Sequence, residues 1–372
     1  MRPKPFALER YMSRYEFRAQ ISLSSSDCDS LSQQELVSWA DDEARRLWDG
    51  LSLGYTESPG MRLLRAEIAA MYAGLTADDV LEVVPSEGIL VAMSCMLGPG
   101  DHVIAAFPSY QSLYGIAESI GCEITCWQPD EARSWRFDLA ALRAAVTPRT
   151  RLIVVNFPHN PTGYLPSRAD FDEIVAIARA AGAYLFSDEM YRFLELEPAD
   201  RLPSACEVYE KAVTLSGLSK SFGLPGLRVG WLATRDAELQ RAFAEFKDFT
   251  TICGSAPSEI LALIGLRNRE RLIGRNLDIV KRNIATAETF FAERGGLLAW
   301  NRPRAGSIGL ARLRWPSGAL DFCERLMADE GVMLLPSSVF DFGDEHVRLG
   351  LGRSNFADGL VRLAGWLDRR SG

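Results

Sequence analysis

The stretch LSGLSKSFGLPGLRVGW, residues 215 to 231, holds two cations, Lys220 and Arg228, and no acid of its own. Lysine is among the residues least often buried, because an unpaired buried charge is costly. A lysine set among Ser216, Gly217 and Ser219 has another use. An amine nucleophile needs a depressed pKa, which desolvation or cationic neighbours supply, and small side chains let a bulky carbonyl compound approach it. The GLPGL turn can fold Arg228 back toward the same place. Read alone, the segment also fits a surface loop with two solvated cations.

Further candidate groups follow apolar runs. Asn160 stands in NFPHNPTG after RLIVVNF, Asp188 and Tyr191 in SDEMYR after AYLFS, Tyr110 in FPSYQSLY after HVIAAF, and Arg348 in HVRLGLG. The runs are short and rich in β-formers: 81–85, 102–107, 123–127, 151–157, 183–187, 212–216 and 228–233. They alternate with helical patterns such as MRLLRAEIAAMYAG, EGILVAMSCML, DLAALRAAV and RADFDEIVAIARAAG, which have apolar residues at three- and four-residue spacing. This alternation predicts an α/β fold: a mostly parallel seven-stranded sheet sandwiched by helices, with a smaller α/β unit built from the N- and C-terminal segments. The expected divisions are 1–45 for an N-terminal arm and part of the small domain, 46–270 for the large domain, and 271–372 for a linking helix and the rest of the small domain. The pattern from about 256 to 296 reads as helix throughout. In an open α/β sheet the ligand lies beyond the carboxyl ends of the strands, so Lys220, Arg228, Asn160, Asp188 and Tyr191 can share one pocket.

Bulk properties narrow the function classes. The chain has 372 residues, 47% hydrophobic and 24% charged, with a net charge of −8. That balance argues against nucleic-acid or anionic-membrane partners, which need a clustered positive field. Seven scattered cysteines fit free thiols, and Cys122 and Cys126 lack the companions a zinc site needs, so no metal is expected. The N-terminus is basic and amphipathic without a continuous apolar run, and no stretch approaches the roughly 20 apolar residues of a membrane span. A cytoplasmic protein is expected.

These motifs, in this order and spacing from about Tyr55 to Arg348, resemble those of fold type I pyridoxal-phosphate enzymes of the class I/II aminotransferase family, the aspartate aminotransferase superfamily. The resemblance implies pyridoxal 5'-phosphate as cofactor and a role for each matching residue. Lys220 would form the Schiff base and shuttle the substrate proton. Asp188 would pair with the pyridine nitrogen, and Asn160 and Tyr191 with the ring's 3-oxygen. Arg228 and Ser219, with Ser216 as a further candidate, would bind the phosphate. Tyr110 would stack on the ring, although core packing is an equally simple use for one tyrosine. Tyr55, in LGYTESPGMRLLR, would reach the cofactor phosphate of a second subunit, which makes a homodimer with shared sites. Arg348 would grip the substrate α-carboxylate.

The helix EGILVAMSCML would add amides at Gly88 and Ile89 to the phosphate site, with Ser86 as its N-cap. Glu87 departs from the family pattern, since a carboxylate repels a phosphate. It is expected either to face the substrate or to serve the helix dipole. In ISLSSSDCDSL, Ser26 stands where the family places a loop over the substrate. With Asp27 it suggests a polar or basic substrate side chain, although a strand and turn would look similar. His159 neighbours Asn160 and reads as structural or substrate-facing.

The resemblance implies an aminotransferase that moves the amino group of an L-amino acid to a 2-oxo acid by a ping-pong scheme. The alternatives are another pyridoxal-phosphate reaction, such as elimination, oxidation or the cyclisation of an arginine derivative, since VVNFPHNPTG and the Ser-rich loop also resemble capreomycidine-synthase-like enzymes. A non-enzymatic regulator domain would need a DNA-reading module that the short N-terminal arm does not offer.

Overall fold

A computed structural model describes residues 2 to 371. All seven apolar runs become strands of one sheet. In spatial order they are Val80–Val83, Gly230–Ala233, Ala212–Gly217, Tyr184–Asp188, Thr150–Asn156, His102–Ala106 and Glu123–Trp127. Gly230–Ala233 runs antiparallel to both neighbours, and the other pairings are parallel. Four of the seven strands are buried along their whole length, and Tyr184–Asp188 and Thr150–Asn156 are buried apart from one residue near the start of each. Burial on both faces explains why these strands read as continuous apolar runs rather than as alternating patterns.

Helices cover both faces of the sheet. Arg168–Ala181 is capped by Ser167, whose hydroxyl accepts from Asp170 N, and it ends at Gly182 with a φ of 65°. Both ends follow the helix-signal rules. The long helical pattern is interrupted: Ala256–Arg267 and Arg269–Glu293 are separate helices. Asn268 makes the break, because its side-chain amide donates to Ile264 O and Trp39 O and ends the first helix.

A four-stranded antiparallel sheet, Leu298–Trp300, Ile308–Leu313, His346–Gly350 and Leu335–Pro336, forms the second layer system. The N-terminal segment joins it, since Ile21–Ser22 pairs in parallel with Val332–Met333. Leu8, Tyr11 and Tyr15 of helix Ala7–Tyr15 pack into the same core as Phe322, Phe340 and Trp366. Two glycines permit the crossing of the N-terminal loop over this sheet. A Cβ at Gly350 would collide with Ser25 O, and one at Gly352 with Asp27 O. That close approach accounts for the GLG of HVRLGLG. Among the described residues, no helix is long and apolar enough to cross a membrane.

Candidate active site

Sheet register brings the site together. Asn156 and Asp188 are direct partners across two strands, and Asp188 is in turn opposite Leu215. Their carboxyl ends therefore coincide, and the chain beyond each strand opens onto one cavity of about 740 Å³. Lys220, Ser219, Arg228, Asn160, Asp188 and Tyr191 line it. Tyr110, Arg348, Ser26 and Ile89 line it too.

Lys220 is half-buried, and its Nζ donates to Ser26 Oγ at 2.8 Å. Burial lowers its pKa, against the pull of Asp27 and with the help of the Arg348 and Arg228 charges. That is the condition an amine nucleophile needs. Arg228 adopts a left-handed backbone, φ 57°, after the PGL turn. Its guanidinium returns to donate to Pro225 O at 2.7 Å and Ser219 Oγ at 3.4 Å. Both acceptors are neutral, and no acid pairs with Arg228 among the described residues.

Asp188 is buried, and one of its carboxylate oxygens accepts from Met190 N at 3.1 Å. Burial pushes its pKa up to about 7, with no cation beside it strong enough to hold it down. Asn160 accepts from Arg348 Nη1 at 3.2 Å through its side-chain oxygen, and its backbone N donates to Asn156 Oδ1 at 2.8 Å. Arg348 is only 2% exposed. Its Nη2 donates to Ser24 O at 2.8 Å, and its Nε has no partner among the described residues. Tyr191 is buried beside Arg348 and Ser26. Tyr110 is half-buried and donates to Glu9 Oε1 at 2.7 Å.

Several expectations are corrected. The helix starts at Pro85 with Val84 as its N-cap, two residues before the expected Ser86 cap. Proline suits the first turn because its missing N–H has no intrahelical partner there. Gly88 N already donates to Val84 O at 2.8 Å, and the Gly88 Cα packs on the sheet, where a Cβ would meet Val83 at 2.8 Å. The free first-turn amides are therefore those of Ser86 and Glu87, and Ile89 contributes its side chain instead. Glu87 does not line the cavity and lies in the first turn of the helix, which agrees with the helix-dipole use and not with the substrate-facing one. Its carboxylate accepts from Val84 N at 3.1 Å and from Thr251 N and Oγ1 at 3.2 and 2.8 Å, with Thr250 Oγ1 also donating. The glutamate at the third helical position reaches back to the cap, which is its usual role there. Ser216 is also turned away, donating to Glu189 O.

Tyr55 is 93% exposed and outside the cavity of its own chain. His159 is fully buried, with Nδ1 against Thr162 Oγ1 at 2.7 Å, and burial drops its pKa to about 3. It is a neutral packing residue.

Other groups in the cavity have no sequence signal strong enough to single them out. Asn156 donates to Asp188 O at 3.0 Å and links two strand ends. Glu9 and Glu16 reach the cavity from the N-terminal helix, and Arg353 reaches it while holding Asp27 through contacts of 3.0 and 2.9 Å. Arg275 and Asn276, on the long helix, donate to Asp29 O and Ser221 O and so hold the two loops that meet at Lys220. Acids seven residues apart on a helix read as a solvated face, which is why Glu9 and Glu16 do not stand out in the sequence.

The match to the aminotransferase class I and II family spans residues 18–358. The chain belongs to that family. It is a pyridoxal-phosphate-dependent enzyme. A PLP-dependent aminotransferase from Streptococcus suis 89-1591 superposes with a TM-score of 0.92 at 30% identity, covering 99% of each chain. The PLP-dependent cyclase OrfR superposes with a TM-score of 0.91, also at 30% identity, covering 100% of this chain and 98% of its own. Capreomycidine synthase of Streptomyces vinaceus is 30% identical over 363 residues, which is 96% of this chain and 92% of the relative.

The donor set suits pyridoxal phosphate. Its anion would meet a guanidinium with no acid partner, the Ser219 hydroxyl and two free first-turn amides. Its basic ring nitrogen would meet a buried carboxyl, and its aldehyde an amine whose pKa burial lowers.

Proposed function

We propose that the enzyme is an aminotransferase working on an L-amino acid and a 2-oxo acid through a two-stage, ping-pong scheme. The observation that carries this is Arg348. It is a buried guanidinium that opens onto the cavity without a carboxylate and keeps one N–H unpaired, as a receptor for an α-carboxylate requires. Pyridoxal phosphate supplies a carbonyl that captures amino groups and a ring that accepts the electron pair of the broken Cα–H bond. Arg228, Ser219 and the amides of Ser86 and Glu87 would hold the phosphate. Asp188 would hold a proton on the ring nitrogen, and Asn160 and Tyr191 would hydrogen-bond the 3-oxygen. Lys220 would move the proton at the substrate Cα, with Ser26 orienting its amine. Tyr110 would pack on the ring face.

A homodimer completes the site, with Tyr55 of each chain contributing to the phosphate site of the other. Its 93% exposure supports this use, because a large aromatic with nothing of its own chain to cover it suits an interface.

A second reading, an internal replacement or cyclisation reaction, is favoured by the near full-length likeness to capreomycidine synthase and the cyclase OrfR. One experiment separates them. If an amino acid alone bleaches the visible absorbance of the holoenzyme and releases one equivalent of 2-oxo acid, the enzyme transaminates. Turnover without that 2-oxo acid supports the second reading. Borohydride should fix the cofactor onto Lys220, and an equal adduct in Lys220→Ala would remove the lysine from its assigned role.

A further inference from the structure

The charges that line the cavity do not balance once each has its task. Among the cations, Arg353 is held by Asp27, while the proposed function assigns Arg228 to the phosphate, Arg348 to the substrate carboxylate and Lys220 to the cofactor aldehyde. Among the acids, Asp27 is paired and Asp188 faces the ring nitrogen. Glu9 and Glu16 are left over.

These two carboxylates stand seven residues apart on the N-terminal helix, which Glu16 continues with helical backbone angles, so they share a face two turns apart. The donor that Glu9 meets is a neutral phenol, Tyr110. The Glu16 carboxylate makes no hydrogen bond or ion pair among the described residues. Burial, Asp27 and Glu9 all push its pKa up, and Lys220 is near enough to oppose them. The helix is not a loose appendage. Ala7 N donates to Gln111 Oε1 and Gln111 Nε2 to Pro5 O, each at 3.0 Å, beside Tyr110. Leu8 and Met12 of the same helix line the cavity, so its acids come with an apolar wall.

We propose that Glu9 and Glu16 form a subsite for a cationic side chain, so that the enzyme selects L-amino acids bearing a guanidinium or ammonium group. The inference rests on the cavity being an amino acid site. Arg348 supplies the independent sign of a ligand: it is 2% exposed, its Nε is unpartnered, and it opens into the same space. The substrate then spans the cavity between a guanidinium that takes its carboxylate and two carboxylates that take its far end. A site that offers charges to both ends rejects the neutral isostere, because the acids would stay desolvated and unmatched.

The test titrates holoenzyme with matched pairs, L-arginine against L-citrulline and L-lysine against L-norleucine, and follows the visible absorbance. The cationic member should bind about tenfold or more tightly, with a preference that falls as salt rises. Glu16→Gln and the double variant Glu9→Gln/Glu16→Gln should cut the preference ratio by about tenfold. Equal affinities within each pair, or a ratio that survives both substitutions, overturns the subsite. If no amino acid of either kind alters the spectrum, the amino acid reading fails and the subsite falls with it. Should the variants not fold, the wild-type ratio and its salt dependence decide.

Discussion

Lys220 Nζ donates to Ser26 Oγ at 2.8 Å across 194 positions of sequence. That hydrogen bond joins the tip of the loop after strand Ala212–Gly217 to the N-terminal loop that covers it. Both loops carry expected site residues, and neither shows in sequence that it must touch the other.

The buried carboxyl of Asp188 gives a pH signature. Its pKa rises from an ordinary 3.8 to about 7. An acid that holds its proton more tightly when folded contributes stability that is full below its unfolded value and lost as pH rises through its folded one. Cofactor-free wild type should therefore lose on the order of 4 kcal/mol relative to Asp188→Asn between about pH 4 and pH 8, at about 1.4 kcal/mol for each pH unit between the unfolded and folded values. Urea unfolding of both proteins across that range checks it. Parallel pH curves would mean that the Asp188 carboxyl titrates as an ordinary one. Bound cofactor, with a proton on its ring nitrogen, should shrink the loss.

Arg348→Lys should weaken amino acid binding by about tenfold or more, because one ammonium cannot reproduce the guanidinium fork. The useful measurement is discrimination between an amino acid and the corresponding amine without its carboxylate. That ratio should fall in the variant. An unchanged ratio places the carboxylate site elsewhere.

The proposed sharing of sites between two subunits makes a complementation test possible. Lys220→Ala and Tyr55→Ala should each be nearly inactive alone. Mixed under subunit exchange, they should regain activity, since one site of each hybrid has both native residues. Activity no greater than the sum of the parents would mean that Tyr55 does not cross between subunits.

Two glycines predict opposite changes. Gly350→Ala drives a Cβ into Ser25 O, so it should cost about 3 kcal/mol or more and displace the loop that carries Ser26. Gly274→Ala lies within the helix Arg269–Glu293 with nothing within 4 Å, and it should stabilise by about 1 kcal/mol. Urea midpoints of the two variants measure both effects, and a harmless Gly350→Ala would deny the close approach.

The strands are legible because each is a buried apolar run ended by turn residues, and the chemistry-bearing groups follow those ends directly. Lys220, Asp188 and Asn160 can therefore be placed together from sequence alone. The start of the helix Pro85–Met96 is not legible: a sequence pattern cannot tell whether Val84 or Ser86 caps it, and that two-residue shift exchanges the free amides and turns Glu87 outward. Asn268 escapes notice because a side chain that ends a helix looks like any polar residue within one. The acids of the N-terminal helix do so because facing a cavity and facing water demand the same residue types.

Arg275 and Asn276 are neighbours on the long helix, one holding Asp29 O and the other Ser221 O. The covering loop and the lysine loop thus hang from a single helix, and the four-stranded sheet holds the covering loop from its other side, where Gly350 N donates to Leu23 O and Arg348 to Ser24 O. The opposite jaw is fixed as well: Leu8, Tyr11 and Tyr15 of the N-terminal helix are buried in the core, and Tyr11 donates to Leu334 O at 3.1 Å. The mouth is therefore a rigid frame, and the two acids it presents from that helix keep a set distance from the lysine loop.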